Sequence, residues 1–138
     1  MSEKSEPKRQ FVNFLGYKLN PAWRHLPEEQ KKAGRAELAA VIERWQIKDR
    51  MMILPYSMIG IRADVDIMLW RICYTLEDLE RMVVEIQGTA MGKYLEAKYS
   101  FLSMTKRSTY LIGHEHEGQT DSRGTLIPGR FRYIFIYP

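Results

Sequence analysis

The spacing of apolar residues changes from a strand period to a helix period and back, twice along the chain. Residues 10–19 (QFVNFLGYKL) alternate in part and are rich in Phe, Val and Tyr, which predicts a strand. From Leu26 to Trp45, apolar residues recur at three-residue spacing behind Pro27 and two glutamates, as in an amphipathic helix. The later predicted elements are strands over 51–64, 66–74 and 98–105, a helix over 75–88, a polar loop over 113–129 and a last strand over 130–137.

The first six elements have the order β-α-β-β-α-β. This order predicts an α+β ferredoxin-like sandwich, of the dimeric α/β-barrel type, with two helices on one face of an antiparallel sheet. Thr75 followed by Asp78 resembles a capping box with Asp in place of Glu, which predicts the start of the second helix. The strand over 130–137 is one more than this fold needs, so we expect an extra C-terminal strand.

Composition and charge exclude several classes of protein. An apolar share of 45% is ample for a packed core. A net charge of +4, spread among mixed charges, does not form the long basic face of a nucleic-acid binder. The single cysteine, Cys73, lies in an apolar run and predicts a buried, inert thiol in a reducing compartment. The polar residues 1–9 predict a disordered arm rather than a signal peptide, and no apolar run is long enough for a membrane span, so we expect a cytoplasmic protein.

Four stretches resemble the chlorite dismutase family, in the same order along the chain. The most specific is RADVDIMLWR over residues 62–71, which together with YSMIGIR before it resembles the paired central strands of the family. The others are NPAWRHLP over 20–27, YSFLSMTKRS over 99–108 and RYIFIYP over 132–138.

The resemblance implies two ferredoxin-like halves in one chain, assembled into rings that are usually pentameric. It implies a haem held by an axial histidine in the second half. Some family members convert chlorite to chloride and dioxygen, and others use peroxide to decarboxylate two propionates of iron coproporphyrin III. Residues 10–112 correspond to the N-terminal half, and residues 130–138 to the first strand of a second, otherwise missing half. We therefore expect haem b or coproheme as cofactor, its axial ligand outside this chain, and the C-terminal half as a partner polypeptide.

Three site residues follow from the same resemblance. Tyr137 lies in a Tyr-Pro motif, in which the decarboxylases carry the tyrosine that relays a radical to the reacting propionate; the plainer interpretation is a packed strand tyrosine. Tyr99 and Arg123 are expected to contact propionates, because a phenol donates one hydrogen bond and a guanidinium binds a carboxylate with two. Arg123 in a solvated loop is the alternative.

Two further polar groups have alternative interpretations. His114 and His116 share one face of an extended loop, which brings at most two imidazoles together, so no metal site is expected there.

Asp64 and Asp66 are two residues apart and, on a strand, would face one side as an acid–base pair. Charge pairing with Arg62 or Arg71 at a subunit interface is the plainer interpretation.

The favoured function is a component of a haem-dependent oxidoreductase in haem biosynthesis that decarboxylates coproheme with peroxide and is inactive without its C-terminal half. Chlorite dismutation is one alternative. A second is a non-catalytic oligomerisation module that holds a haem-bearing partner. A third is a stand-alone dimeric module that binds another small aromatic ligand.

Overall fold

The structure, a computed structural model, describes residues 8–106, 125–129 and 131–137. Its four strands, β1 (Phe11–Leu19), β2 (Met51–Ser57), β3 (Ile67–Cys73) and β4 (Leu95–Met104), form one antiparallel sheet in the order β2-β3-β1-β4. Two helices lie between them along the chain, which confirms the predicted ferredoxin-like fold. No helix in these ranges is long and apolar enough to cross a membrane. The helices are α1 (Glu28–Trp45) and α2 (Leu76–Gly88), and short 3-10 helices lie at Pro21–His25 and Gly92–Tyr94.

Several predicted boundaries are wrong. The strand predicted over 51–64 ends at Ser57, because the chain turns through Gly60, whose φ of 76° is a left-handed conformation that favours glycine. β4 begins at Leu95 instead of residue 98. Residues 131–137 form no strand in the described structure, since a ladder needs a neighbouring strand and none pairs with them. Most of the predicted arm over 1–9 and of the loop over 113–129 lies outside the described residues.

The predicted capping box at the start of α2 does not form. Thr75 occupies the N-cap position, but its side chain makes no capping hydrogen bond to the helix. Asp78 instead binds the Arg50 guanidinium, accepting from Nε at 2.9 Å and from Nη2 at 2.6 Å. A residue that precedes β2 therefore holds the first turn of α2.

The helices cover one face of the sheet and enclose the core. Cys73 is fully buried there, as predicted, and burial raises the pKa of its thiol. Ile53, Leu69 and Met82 are each at most 1% exposed, and side chains of this kind stabilise a fold by roughly 1.5–3 kcal/mol when buried. The core joins the sheet to both helices through Leu15, Tyr17, Leu38, Val41, Trp45, Met51, Ile53, Leu69, Cys73, Leu79, Met82 and Ile86.

The opposite face of the sheet, here called the outer face, is also apolar. Strand alternation directs every second residue away from the helices. The strand register aligns these residues in rows that cross all four strands, and one row is Leu54, Trp70, Phe14 and Phe101. Both faces of the sheet thus present apolar side chains, which is typical of a sheet that is covered on both sides.

Candidate functional site

Tyr99, one of the predicted site residues, lies on the outer face in β4 and is half-buried. Its register partner in β1 is Gly16. A Cβ atom at Gly16 would lie 2.5–2.8 Å from three atoms of the Tyr99 ring, so the ring occupies the space that a side chain there would fill. The Arg62 guanidinium lies 5.7 Å from the ring centroid, within the range of a cation–π contact.

The loop between β2 and β3 brings Arg62 to this tyrosine. Asp64 binds the Arg62 guanidinium with two hydrogen bonds of 2.8 Å, and this bond to Arg62 lowers the pKa of Asp64. The predicted charge pairing is therefore confirmed between Asp64 and Arg62, while its place at a subunit interface stays a prediction. The guanidinium is held in one orientation beside the Tyr99 ring and keeps further N–H groups for another acceptor.

Asp66 has different partners, so the hypothesis of an acid–base pair with Asp64 is wrong. Asp66 accepts the Leu19 backbone N–H at 2.8 Å and Lys18 Nζ at 3.1 Å. Both aspartates lie between β2 and β3 and not on a strand, so the alternation that would place them on one side does not apply. The second suggested partner, Arg71, is buried beneath the helices and binds neither aspartate.

Aromatic side chains surround the site on the outer face. Tyr99 stacks on Phe101 with centroids 5.1 Å apart, and Phe14 stacks on Trp70 at 5.6 Å. Trp70 Nε1 is buried and has no hydrogen-bond acceptor among the described residues. The outer face therefore combines flat apolar area with the phenol of Tyr99 and the cation of Arg62, a combination that suits a planar ligand carrying carboxylates.

Of the other predicted site residues, Tyr137 alone lies in the described part of the chain. Tyr137 is 83% exposed and makes no hydrogen bond with another described residue. Arg123 lies outside the described residues, as do His114 and His116.

The described residues fit the carboxylates of an iron tetrapyrrole better than they fit its iron. Among them, His25 is the one histidine, and it is exposed before α1. Cys73 is enclosed in the core on the helix side. No group of three or more potential metal ligands occurs in the described ranges. Tyr99 and Arg62 can hold a propionate.

Sequence reasoning missed Gly16 and the contact of Arg62 with Tyr99. A glycine in the middle of a predicted strand is a detectable signal, since it often marks a close approach of another group. Nothing in the sequence indicates that the approaching group comes from β4, which is the last of the four strands along the chain.

Comparison with known proteins shows what the chain is similar to. The model of the chlorite dismutase family matches residues 30–138. The structure of chlorite dismutase from Candidatus Nitrospira defluvii in complex with imidazole gives a TM-score of 0.69 at 23% identity, over 77% of this chain and 44% of that chain. The structure of a haem-binding protein from Thermus thermophilus gives a TM-score of 0.62 at 20% identity, over 70% of this chain and 40% of that chain. The matched part of this chain thus covers less than half of each of these proteins, and the likeness concerns the fold.

Proposed function

This chain belongs to the chlorite dismutase family, and we propose that it is a component of a haem-dependent oxidoreductase, completed by a second ferredoxin-like half. The observation that carries the proposal is the outer face, where Tyr99 and Arg62 stand beside an apolar sheet surface. A tetrapyrrole has the matching chemistry, a flat apolar ring with carboxylate side chains. The C-terminal half would supply the ligand of its iron.

Within the family, we favour peroxide-dependent decarboxylation of coproheme. The bound iron tetrapyrrole would supply the oxidising chemistry. This chain would supply a phenol from Tyr99 that donates a hydrogen bond to a propionate, a positive charge from Arg62 that stabilises the carboxylate, and an apolar surface that excludes water. Tyr137 adds an oxidisable phenol from the Tyr-Pro motif, and Arg123 a second guanidinium for propionate binding.

The proposed partner is the C-terminal half, whose sheet would cover the outer face and whose neighbouring strands would pair with residues 131–137. Phe131, Tyr133 and Phe135 alternate along this segment and are 69–86% exposed, as expected for side chains that a second sheet would bury. Assembly of the completed units into a ring, a pentamer in the commonest form of the family, is part of the proposal. The cytoplasm is the proposed location.

The test combines this chain with the C-terminal half and adds iron coproporphyrin III. We expect a Soret band. On addition of peroxide we expect two propionates to be converted in turn to vinyl groups, each step releasing CO2 and reducing one hydrogen peroxide to two waters, and mass spectrometry of the porphyrin follows this conversion. Tyr137→Phe should abolish decarboxylation while the Soret band is retained. An assembly that neither binds coproheme nor changes its mass in peroxide would contradict the proposal.

A non-catalytic assembly module is the second candidate, and the absence of an axial ligand on the outer face among the described residues favours it. In that case the module holds a partner that carries both haem and catalysis, and Tyr137→Phe leaves the activity of the assembly unchanged.

Release of dioxygen from chlorite, measured with an oxygen electrode, would instead identify chlorite dismutation.

A further inference from the structure

Arg71 is a buried cation without a carboxylate partner in the described structure. It lies in β3 on the face covered by the helices and is 3% exposed. Burial lowers the pKa of Arg71, although Tyr17 and Cys73 act in the opposite direction. Burying an uncompensated charge is costly, and an apolar side chain of similar size avoids that cost. Packing alone therefore does not explain an arginine at this position.

The hydrogen bonds of Arg71 lead across the sheet to β4. Its Nε and Nη2 donate to Asn13 Oδ1 at 3.2 and 2.6 Å, and Nη1 donates to the Leu79 carbonyl at 3.1 Å. A guanidinium can only donate, so only the oxygen of the Asn13 amide can face it. The amide nitrogen consequently faces β4, where it donates to Ser100 Oγ at 2.8 Å and to the Phe101 carbonyl at 3.2 Å.

These two contacts directly follow Tyr99, where the pairing of β1 with β4 is irregular. Gly16 pairs with Tyr99, but the next residue, Tyr17, pairs with Ala97, so one extra residue of β4 is accommodated in between. Such a bulge disrupts the ladder locally and changes the direction of nearby side chains. Ser100 and Phe101 pair with Leu15 and Phe14 in regular register beyond the bulge, so the bonds from Asn13 hold β4 at the two residues that directly follow Tyr99.

We propose that Arg71 is a positioning residue: it orients the Asn13 amide toward β4, and thereby keeps the Tyr99 ring over Gly16 on the opposite face. Only the identity of the group that Tyr99 binds, a carboxylate of the tetrapyrrole, rests on the proposed function. The position of the ring is a property of this chain alone.

The decisive variant is Asn13→Asp in the full chain. Its carboxylate pairs with Arg71 and compensates the buried charge, so the fold is retained, but both donors to β4 are lost. The readout is the ring-current shift of the Gly16 Hα resonances, which reports the position of the Tyr99 ring, with Tyr99→Leu as the reference for a missing ring. We expect Asn13→Asp to lose about half or more of this shift, and iron coproporphyrin III to bind about fivefold more weakly, the loss of roughly one hydrogen bond.

Two variants of Arg71 complete the test. Arg71→Met removes the group that orients the amide and should also reduce the Gly16 shift. Arg71→Lys keeps a cationic donor for Asn13 Oδ1 and should restore most of it. A folded Asn13→Asp protein with the wild-type Gly16 shift would overturn the inference, as would Arg71→Lys behaving like Arg71→Met. If wild-type protein, combined with the C-terminal half, binds no coproheme, the proposed function fails while the Gly16 shift still decides the positioning role.

Discussion

Replacing Asp66 by asparagine tests how the loop that carries Arg62 is held against β1. The Asp66 side chain is 12% exposed and binds the Leu19 N–H and Lys18 Nζ. Burial acts to raise the pKa of Asp66, but the Leu19 hydrogen bond and the charge of Lys18 outweigh it and hold the pKa below its usual value. The folded state therefore favours the ionised form.

The expected cost follows from these two contacts. A hydrogen bond to a charged group contributes about 1.5–3 kcal/mol, and a part-exposed ion pair at most about 1 kcal/mol. The amide introduced by Asp66→Asn keeps an oxygen for the Leu19 N–H but loses the charge, so we expect the free energy of unfolding to fall by about 2 kcal/mol. For a chain of 138 residues this lowers Tm by about 6–10 °C.

The pH dependence has a definite sign. Because the folded pKa of Asp66 is lowered, its carboxylate stabilises the fold above the unfolded value of about 3.9, and this stabilisation is lost as the pH falls through the folded pKa. The difference in the free energy of unfolding between wild type and Asp66→Asn should therefore be greatest near about pH 7 and should shrink steadily below about pH 4.

Urea unfolding followed by circular dichroism, repeated along the pH series, measures this difference. Asp64→Asn is the matched control, because Asp64 pairs with Arg62 at the surface with its side chain 51% exposed, and its replacement should leave the free energy of unfolding nearly unchanged. Equal losses for the two variants at neutral pH, or a loss for Asp66→Asn that persists undiminished in acid, would refute the reasoning.

Two further predictions concern other contacts. Gly16→Ala places a methyl group 2.5–2.8 Å from the Tyr99 ring, which must move by about 1 Å, so the assembly completed by the C-terminal half should bind iron coproporphyrin III roughly tenfold more weakly in absorbance titrations. The control Gly88→Ala, whose Cβ meets nothing within 4 Å, should bind as wild type does, and equal affinities for the two variants would contradict the prediction. Asp78→Asn breaks the two-bond pair with Arg50, which is the main cause of the lowered pKa of Asp78, and should cost about 1–3 kcal/mol in urea unfolding at neutral pH. This cost should fade below about pH 4, and a constant cost would show that the charge of Asp78 is not involved.

The sequence by itself determined the order and type of the six ferredoxin-like elements. Strand and helix periods are local properties, so β1 and α1 could be predicted from a short window of residues each. The burial of Cys73 followed in the same way from its apolar neighbours. The resemblance to the family also led to the prediction that Tyr99 is a site residue, but the sequence did not predict which residues surround it.

Only the tertiary structure decided which distant residues meet. Asp64 and Asp66 bind different partners because β2 ends at Ser57 and both residues lie in the loop that follows it. Asp78 binds the Arg50 guanidinium instead of forming a capping box at the start of α2. Tyr99 lies over Gly16 because strands far apart in sequence pair in one register. Such contacts depend on loop geometry and strand register, which no local pattern encodes, and they are what turn a predicted sheet into a candidate binding site.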